Sequence, residues 1–233
     1  MIEHFQNSLK YCEEVKFTSL SNVSHAMLGF AYSYLGDNVT SKKHIEQSLK
    51  IMNETGIELF KDVVYMLIGM CHYESGDLSS ARRFLEEAIG FAQQSNLKLV
   101  EGYSLIWLGA TLGKMDSPDI ETSGKHILEG ISISEPLRMK PFYSIGYFLL
   151  VELYANTGRV NEAHEYLEKA EALFKEMGVD YFLATTYAIY AELYNKASDQ
   201  SKAKDHLEKA IEIFKECGVD GRVEKYEKEL AEL

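Results

Sequence analysis

Four of the seven histidines, His4, His44, His126 and His206, recur at multiples of about 40 residues, the trace that a metal site built from repeats would leave. Imidazole is the commonest metal ligand among side chains. The same slot holds Phe84 and Tyr166 in the two remaining segments, so the position asks for an aromatic-sized packing group. Distance argues the same way. Helices pack about 8 to 10 Å apart and equivalent helices of successive repeats stand two layers apart, roughly 16 to 20 Å. Zinc bonds its ligands at about 2 Å, so these rings cannot share an ion. Neither a metal nor a cofactor is expected.

Nucleophilic and acid–base chemistry lacks its parts as well. Cys12, Cys71 and Cys217 are odd in number and widely spaced, which points to a reducing compartment and away from a disulfide framework or zinc. No phosphate-cradling glycine loop, nucleophile elbow or paired-histidine zinc motif occurs. The carboxylates Glu86, Glu87, Glu162 and Glu165 lie among lysines and arginines on helical faces, as solvated charge does. An enzyme is not expected. A formal charge of −12 opposes the basic stripe that a phosphate backbone requires, which excludes direct nucleic-acid binding. The first residues carry no basic and apolar leader, and no later apolar run approaches the length of a membrane span. A cytoplasmic location is expected.

What the composition does support is a packed helical chain. Hydrophobic residues make up 46% of the 233, charged ones 26%, and only three prolines are present. Laid against itself at a lag of 40, the chain superposes Gly29, Gly69 and Gly109, and the slot continues as Val151 and Ala191. A second series runs Ser8, Ser48, Ala88, Gly130, Ala170 and Ala210, its single 42-residue step falling where Asp116-Ser117-Pro118-Asp119 lengthens a turn. Each unit reads as two amphipathic helices. Tyr147, Leu150, Val151 and Tyr154 form one apolar stripe, and Ala163, Leu167, Ala170 and Phe174 form the next. Gly36-Asp37, Gly76-Asp77 and Gly158-Arg159 mark the turns, with Ser198 in the glycine slot of the fifth, where a slightly strained or differently shaped turn is expected. Glycine within a helix costs about 1 kcal/mol relative to alanine. Its recurrence therefore implies close helix contact, with Ser41, Ala81, Ser123, Ala163 and Ala203 forming the matching depression.

The combination of these slots is similar to the tetratricopeptide-repeat (TPR) signature. It is carried by His25, Leu28, Gly29, Tyr32, Ser41, Ile45 and Ser48 in the first full repeat, and by Tyr65, Ile68, Gly69, His72, Ala81, Leu85 and Ala88 in the second. It continues from Leu105 to Gly130, from Tyr147 to Ala170 and from Tyr187 to Ala210. The resemblance implies an all-α fold, a right-handed superhelix of about five helix pairs forming one continuous solenoid. A leading half-repeat helix would occupy residues 1–17, the repeats 18–217 and a C-terminal capping helix 218–233. The period of 40, in place of the commoner 34, and strings such as EKAEALFKEMGVD resemble the MalT-like helical region of bacterial regulatory proteins. Residues 2 to 15 echo second helices, so the chain is expected to be a C-terminal piece of a larger signalling or transcription-regulatory protein.

In the TPR family the first helix of each pair lines a concave groove. Carried onto this chain, the resemblance puts Phe30, Tyr34, Met66, Met70, Tyr73, Tyr103, Ile106 and Phe148 in an apolar lining, followed by the polar Glu152, Asn156, Glu192 and Lys196. The expected function is a protein- or peptide-binding scaffold or sensor whose partner is an amphipathic helix. The alternative is a receptor for a small ligand or signalling peptide in the same groove. The basic clamp for C-terminal carboxylates is missing, since Ala26, Phe30, Met66 and Met70 occupy its slots. The unpaired leading helix, with Phe5 and Leu9 expected to face solvent, suggests self-association through that end.

Overall fold

The computed structural model describes residues 2–56 and 58–233, and the described residues form twelve α-helices and no strand. In chain order these are α1 (Ile2–Glu14), α2 (Thr18–Tyr34), α3 (Asn38–Thr55), α4 (Lys61–Glu74), α5 (Leu78–Ser95) and α6 (Lys98–Lys114). There follow α7 (Ile120–Ser134), α8 (Lys140–Asn156), α9 (Val160–Met177), α10 (Asp180–Lys196), α11 (Gln200–Glu216) and α12 (Asp220–Glu232). Two compact units result, Met1–Arg138 and Met139–Leu233. Within the first, α2 packs on α3, α4 on α5 and α6 on α7, with α1 against α2; within the second, α8 packs on α9, α10 on α11, and α12 on α11.

Left-handed residues close the helices at two recurring places. Inside pairs stand Gly36, Gly76 and Gly158, and then Ser198 at φ 61°, a residue held where only glycine is free of Cβ crowding. Between pairs stands a second series, Lys16, Gly56, Asn96, Arg138, Gly178 and Gly218, with the same steps of 40 and 42 as the helix slots. The next helix opens on a cap: the carboxylates of Asp37, Asp77, Asp119 and Asp199 accept the backbone N–H of Thr40, Ser80, Thr122 and Lys202 at 3.0 to 3.2 Å. In the fourth pair Arg159 stands there and bonds Glu162 instead.

Close approach is tightest in the third pair. A Cβ on Gly109 would lie 2.5 Å from the Ser123 carbonyl oxygen, and one on Gly130 would lie 2.3 Å from that of Gly102. The gap is used: Ser123 Oγ donates to the Gly109 carbonyl at 2.6 Å. Ser41, Ala81, Ala163 and Ala203 are buried in the equivalent slots.

Two places depart from the repeat. Helix α4 starts five residues after its left-handed Gly56, where α2, α6, α8, α10 and α12 start two residues after theirs. Phe60 then adopts φ 64°, and Leu59 and Phe60 reach the surface. A long-range bond lies one residue inside the helix. Asp62 is buried, accepts the N–H of Val63 and the hydroxyl of Ser95 on α5, both at 2.8 Å, and so anchors the helix start at that point. At the other departure, Phe5 and Leu9 of α1 are half-buried and Cys12 is buried against α2, so the leading helix exposes less apolar surface than its lack of a partner suggests.

Candidate functional site

The histidine slot resolves into ring stacking. His44 lies on Tyr32 with centroids 5.7 Å apart and planes 6° from parallel, Phe84 on His72 (5.4 Å, 5°), Tyr166 on Tyr154 (5.8 Å, 27°) and His206 on Tyr194 (5.4 Å, 14°). One ring from the second helix thus seats on a ring of the first in four of the five pairs. Burial lowers the proton affinity of His44 and His206, as neutral packing groups require.

The expected groove residues divide sharply by burial. In the first unit Phe30 is half-buried and Tyr34 exposed, their rings 6.4 Å apart, and Tyr103 is half-buried. Met66, Met70, Tyr73 and Ile106 are buried. Of the apolar lining expected in this unit, Phe30, Tyr34 and Tyr103 keep accessible ring surface. Its middle is filled because α4 packs directly on both α2 and α6, which turns those side chains into inter-repeat core. Tyr73 sets its ring edge-on to Trp107 at 5.0 Å, Tyr103 does so from the other side at 6.1 Å, and the Lys114 ammonium sits 4.3 Å over the Tyr73 ring. Trp107 is the hub of this cluster.

In the second unit Phe148 is likewise core, edge-on to Phe174 and Phe182. Glu152 is half-buried, while Asn156, Glu192 and Lys196 are exposed, the last two joined at 2.7 Å. A cleft of about 430 Å³ opens between α10 and α12, with Ala188 and Ala191 in its floor and Glu192, Lys225 and Glu229 on its rim. Sequence reasoning missed it. Its signal was Tyr226, which occupies the slot held by Ser24, Val64, Ser104, Gly146 and Thr186 and stacks on Phe214 at 5.6 Å, a large ring where every full repeat has a smaller side chain. No helix among the described residues is long and apolar enough to cross a membrane.

Comparison with known proteins agrees with this geometry. The family described as tetratricopeptide repeat matches residues 63–95, which span α4 and α5, and residues 144–216, from α8 through α11. No curated protein matches the chain. Among solved structures, BtubC (BKLC) from P. vanneervenii is similar with a TM-score of 0.70 and 16% identity, over 93% of this chain and 91% of that one. A Rap protein complexed with competence and sporulation factor has a TM-score of 0.69 and 15% identity, over 99% of this chain and 68% of its own. The signal transduction ATPase PH0952 from Pyrococcus horikoshii, which has a tetratricopeptide-repeat sensor, gives 0.68 and 15%, over 97% of this chain and 37% of its own. At such identities the likeness is one of fold. With the signature slots and the paired helices, residues 63–95 and 144–216 are tetratricopeptide repeats, and the chain has the helical fold of tetratricopeptide-repeat proteins.

Proposed function

We propose that the chain is a protein-interaction scaffold whose first unit takes an apolar or amphipathic segment of a partner protein on the outer end of α2. The carrying observation is the aromatic pair Phe30 and Tyr34, which keeps ring surface in water, followed in sequence by the exposed Leu35 of the turn and Val39 at the start of α3. Apolar side chains gathered at one place on a surface mark interaction sites more often than the same side chains scattered singly. Two such rings and two aliphatic side chains offer apolar surface to the anchors that a partner helix carries at i, i+3, i+4 and i+7. A signalling setting fits the neighbour described as a signal transduction ATPase with a tetratricopeptide-repeat sensor.

The test uses Phe30→Glu and Tyr34→Ala in pull-downs followed by identification of what is retained, with helical content and melting recorded for each variant. The reading expects a defined partner that is lost from both variants while the fold persists. Retention of the same partner by both would move the site elsewhere on the chain. A second reading, a receptor for a short peptide, is favoured by the cleft between α10 and α12, whose size suits a few side chains and whose rim carries both charges. That reading expects binding to respond to Glu192→Ala and not to Phe30→Glu.

A further inference from the structure

We propose that the contact between His25 and His44 is an acid-released latch that holds α2 against α3, and through α2 also α1, at neutral pH. The two imidazoles face each other through their Nδ1 atoms at 3.0 Å, His25 buried in α2 and His44 half-buried in α3. At that distance one Nδ1 must donate and the other accept. Neutral rings satisfy this, and one added proton on the far side of a ring leaves it intact. A second added proton is different: with both rings cationic, both Nδ1 atoms carry hydrogen, the acceptor is gone and two like charges meet in a partly buried place.

The repeats make the first pair a special case. In the equivalent slots stand Tyr65 with Phe84, Leu105 with His126, Tyr147 with Tyr166 and Tyr187 with His206, so only the first pair sets two imidazoles together. Among the described residues, no carboxylate is paired with either ring. His72 has Asp77 Oδ2 at 3.3 Å, whereas around the latch Asp37 caps α3 through Thr40 and Glu46 on α3 lies beside Lys42. Lys43 is exposed on α3, Tyr32 from α2 stacks on His44, and from α1 comes Gln6, bonded to Tyr32. Burial and then His44 lower His25 to about 4, and burial lowers His44 as well. Each ring therefore holds protons less well folded than unfolded. The stability it lends is complete above the ordinary imidazole range, near 6.5, and falls as pH drops through that range toward His25's own value. Helix α1 follows the latch because Gln6 Nε2 donates to the hydroxyl of the same Tyr32 at 3.1 Å, and Ser8 bonds Ser24 of α2 at 3.2 Å.

Amide hydrogen exchange, corrected for the intrinsic pH dependence, distinguishes this from general acid unfolding. Between neutral pH and about pH 4, amides of α1 to α3 should lose protection by at least roughly tenfold while those of α6 and α7 keep theirs. The double variant His25→Phe with His44→Phe should abolish the selective loss. His44→Phe alone, which reproduces the phenylalanine of the second pair, should do so too and serves if the double variant does not fold. Uniform loss over both regions in the wild-type chain, or selective loss that persists in His44→Phe, would overturn the latch.

Discussion

At the scale of single residues the fold turns on where a Cβ can be placed. Gly130 is the tightest such position, its missing methyl falling 2.3 Å from backbone oxygen that cannot move aside as a side chain could. Gly130→Ala should therefore cost about 1 to 3 kcal/mol by overpacking, read as a lower urea midpoint. Gly90, in α5, has nothing within 4 Å of its own Cβ position. There the ordinary helix propensity is free to act, and Gly90→Ala should raise stability by about 1 kcal/mol. The periodic glycines were legible in sequence as contact points, yet the one under greatest constraint sat in the second-helix series, where serine and alanine dilute the signal. Ser198 was legible too, as a non-glycine in a glycine slot, and its φ of 61° carries the strain that slot implies. Ser198→Gly should gain a net of roughly 0.5 to 1 kcal/mol, since relief of the left-handed Cβ clash exceeds the added freedom of glycine in the unfolded chain.

At the scale of elements, the helices start and stop where short-range chemistry tells them to, and the exceptions have short-range causes. Four second helices open on an aspartate cap, and Asp77→Ala should cost about 1 kcal/mol by leaving the Ser80 N–H without its acceptor. Thermal melting of the variant checks this, with Ser75→Ala, next to the same turn but outside the cap, as the control that should change little. The start of α4 was not legible. Gly56-Ile57-Glu58 is almost the same string as Gly178-Val179-Asp180, and only the latter leads straight into a helix. Asp62, one residue inside α4, bonds Ser95 on α5, 33 residues away. No local pattern contains that bond. The groove failed to read out for a related reason. Met70, Ile106 and Phe148 lie on the same helical face whether they line a groove or seal neighbouring helices together, and the choice depends on how closely those helices pack.

At the scale of the molecule, a period of 40 was enough to reach the helix count and the family, because each repeat restates the same apolar stripe and errors in one are corrected by the others. A division into two units leaves no such trace, since Arg138 at their junction occupies the same left-handed slot as Lys16, Gly56, Asn96, Gly178 and Gly218. Each unit nevertheless owns fully buried side chains: Leu28, Ile68, Leu85, Ile106 and Ile127 in the first, and Leu150, Leu167, Phe174, Leu193 and Phe214 in the second. The second unit's rings also pack on one another, in a single run from Phe148 through Phe174, Phe182, Tyr181 and Phe214 to Tyr226. In repeat arrays stability is close to a sum of repeat and nearest-neighbour terms, so a piece cut between repeats keeps most of what holds it. Residues 139–233 expressed alone should therefore be helical by circular dichroism and unfold in one cooperative urea transition. Cutting one helix later, so that α9 loses α8, should remove that cooperativity, because the stripe of Ala163, Leu167, Ala170 and Phe174 would then face water. A fragment 139–233 without a cooperative transition would show that its core depends on residues before Met139, and that the division into units is one of contact density rather than of independent stability.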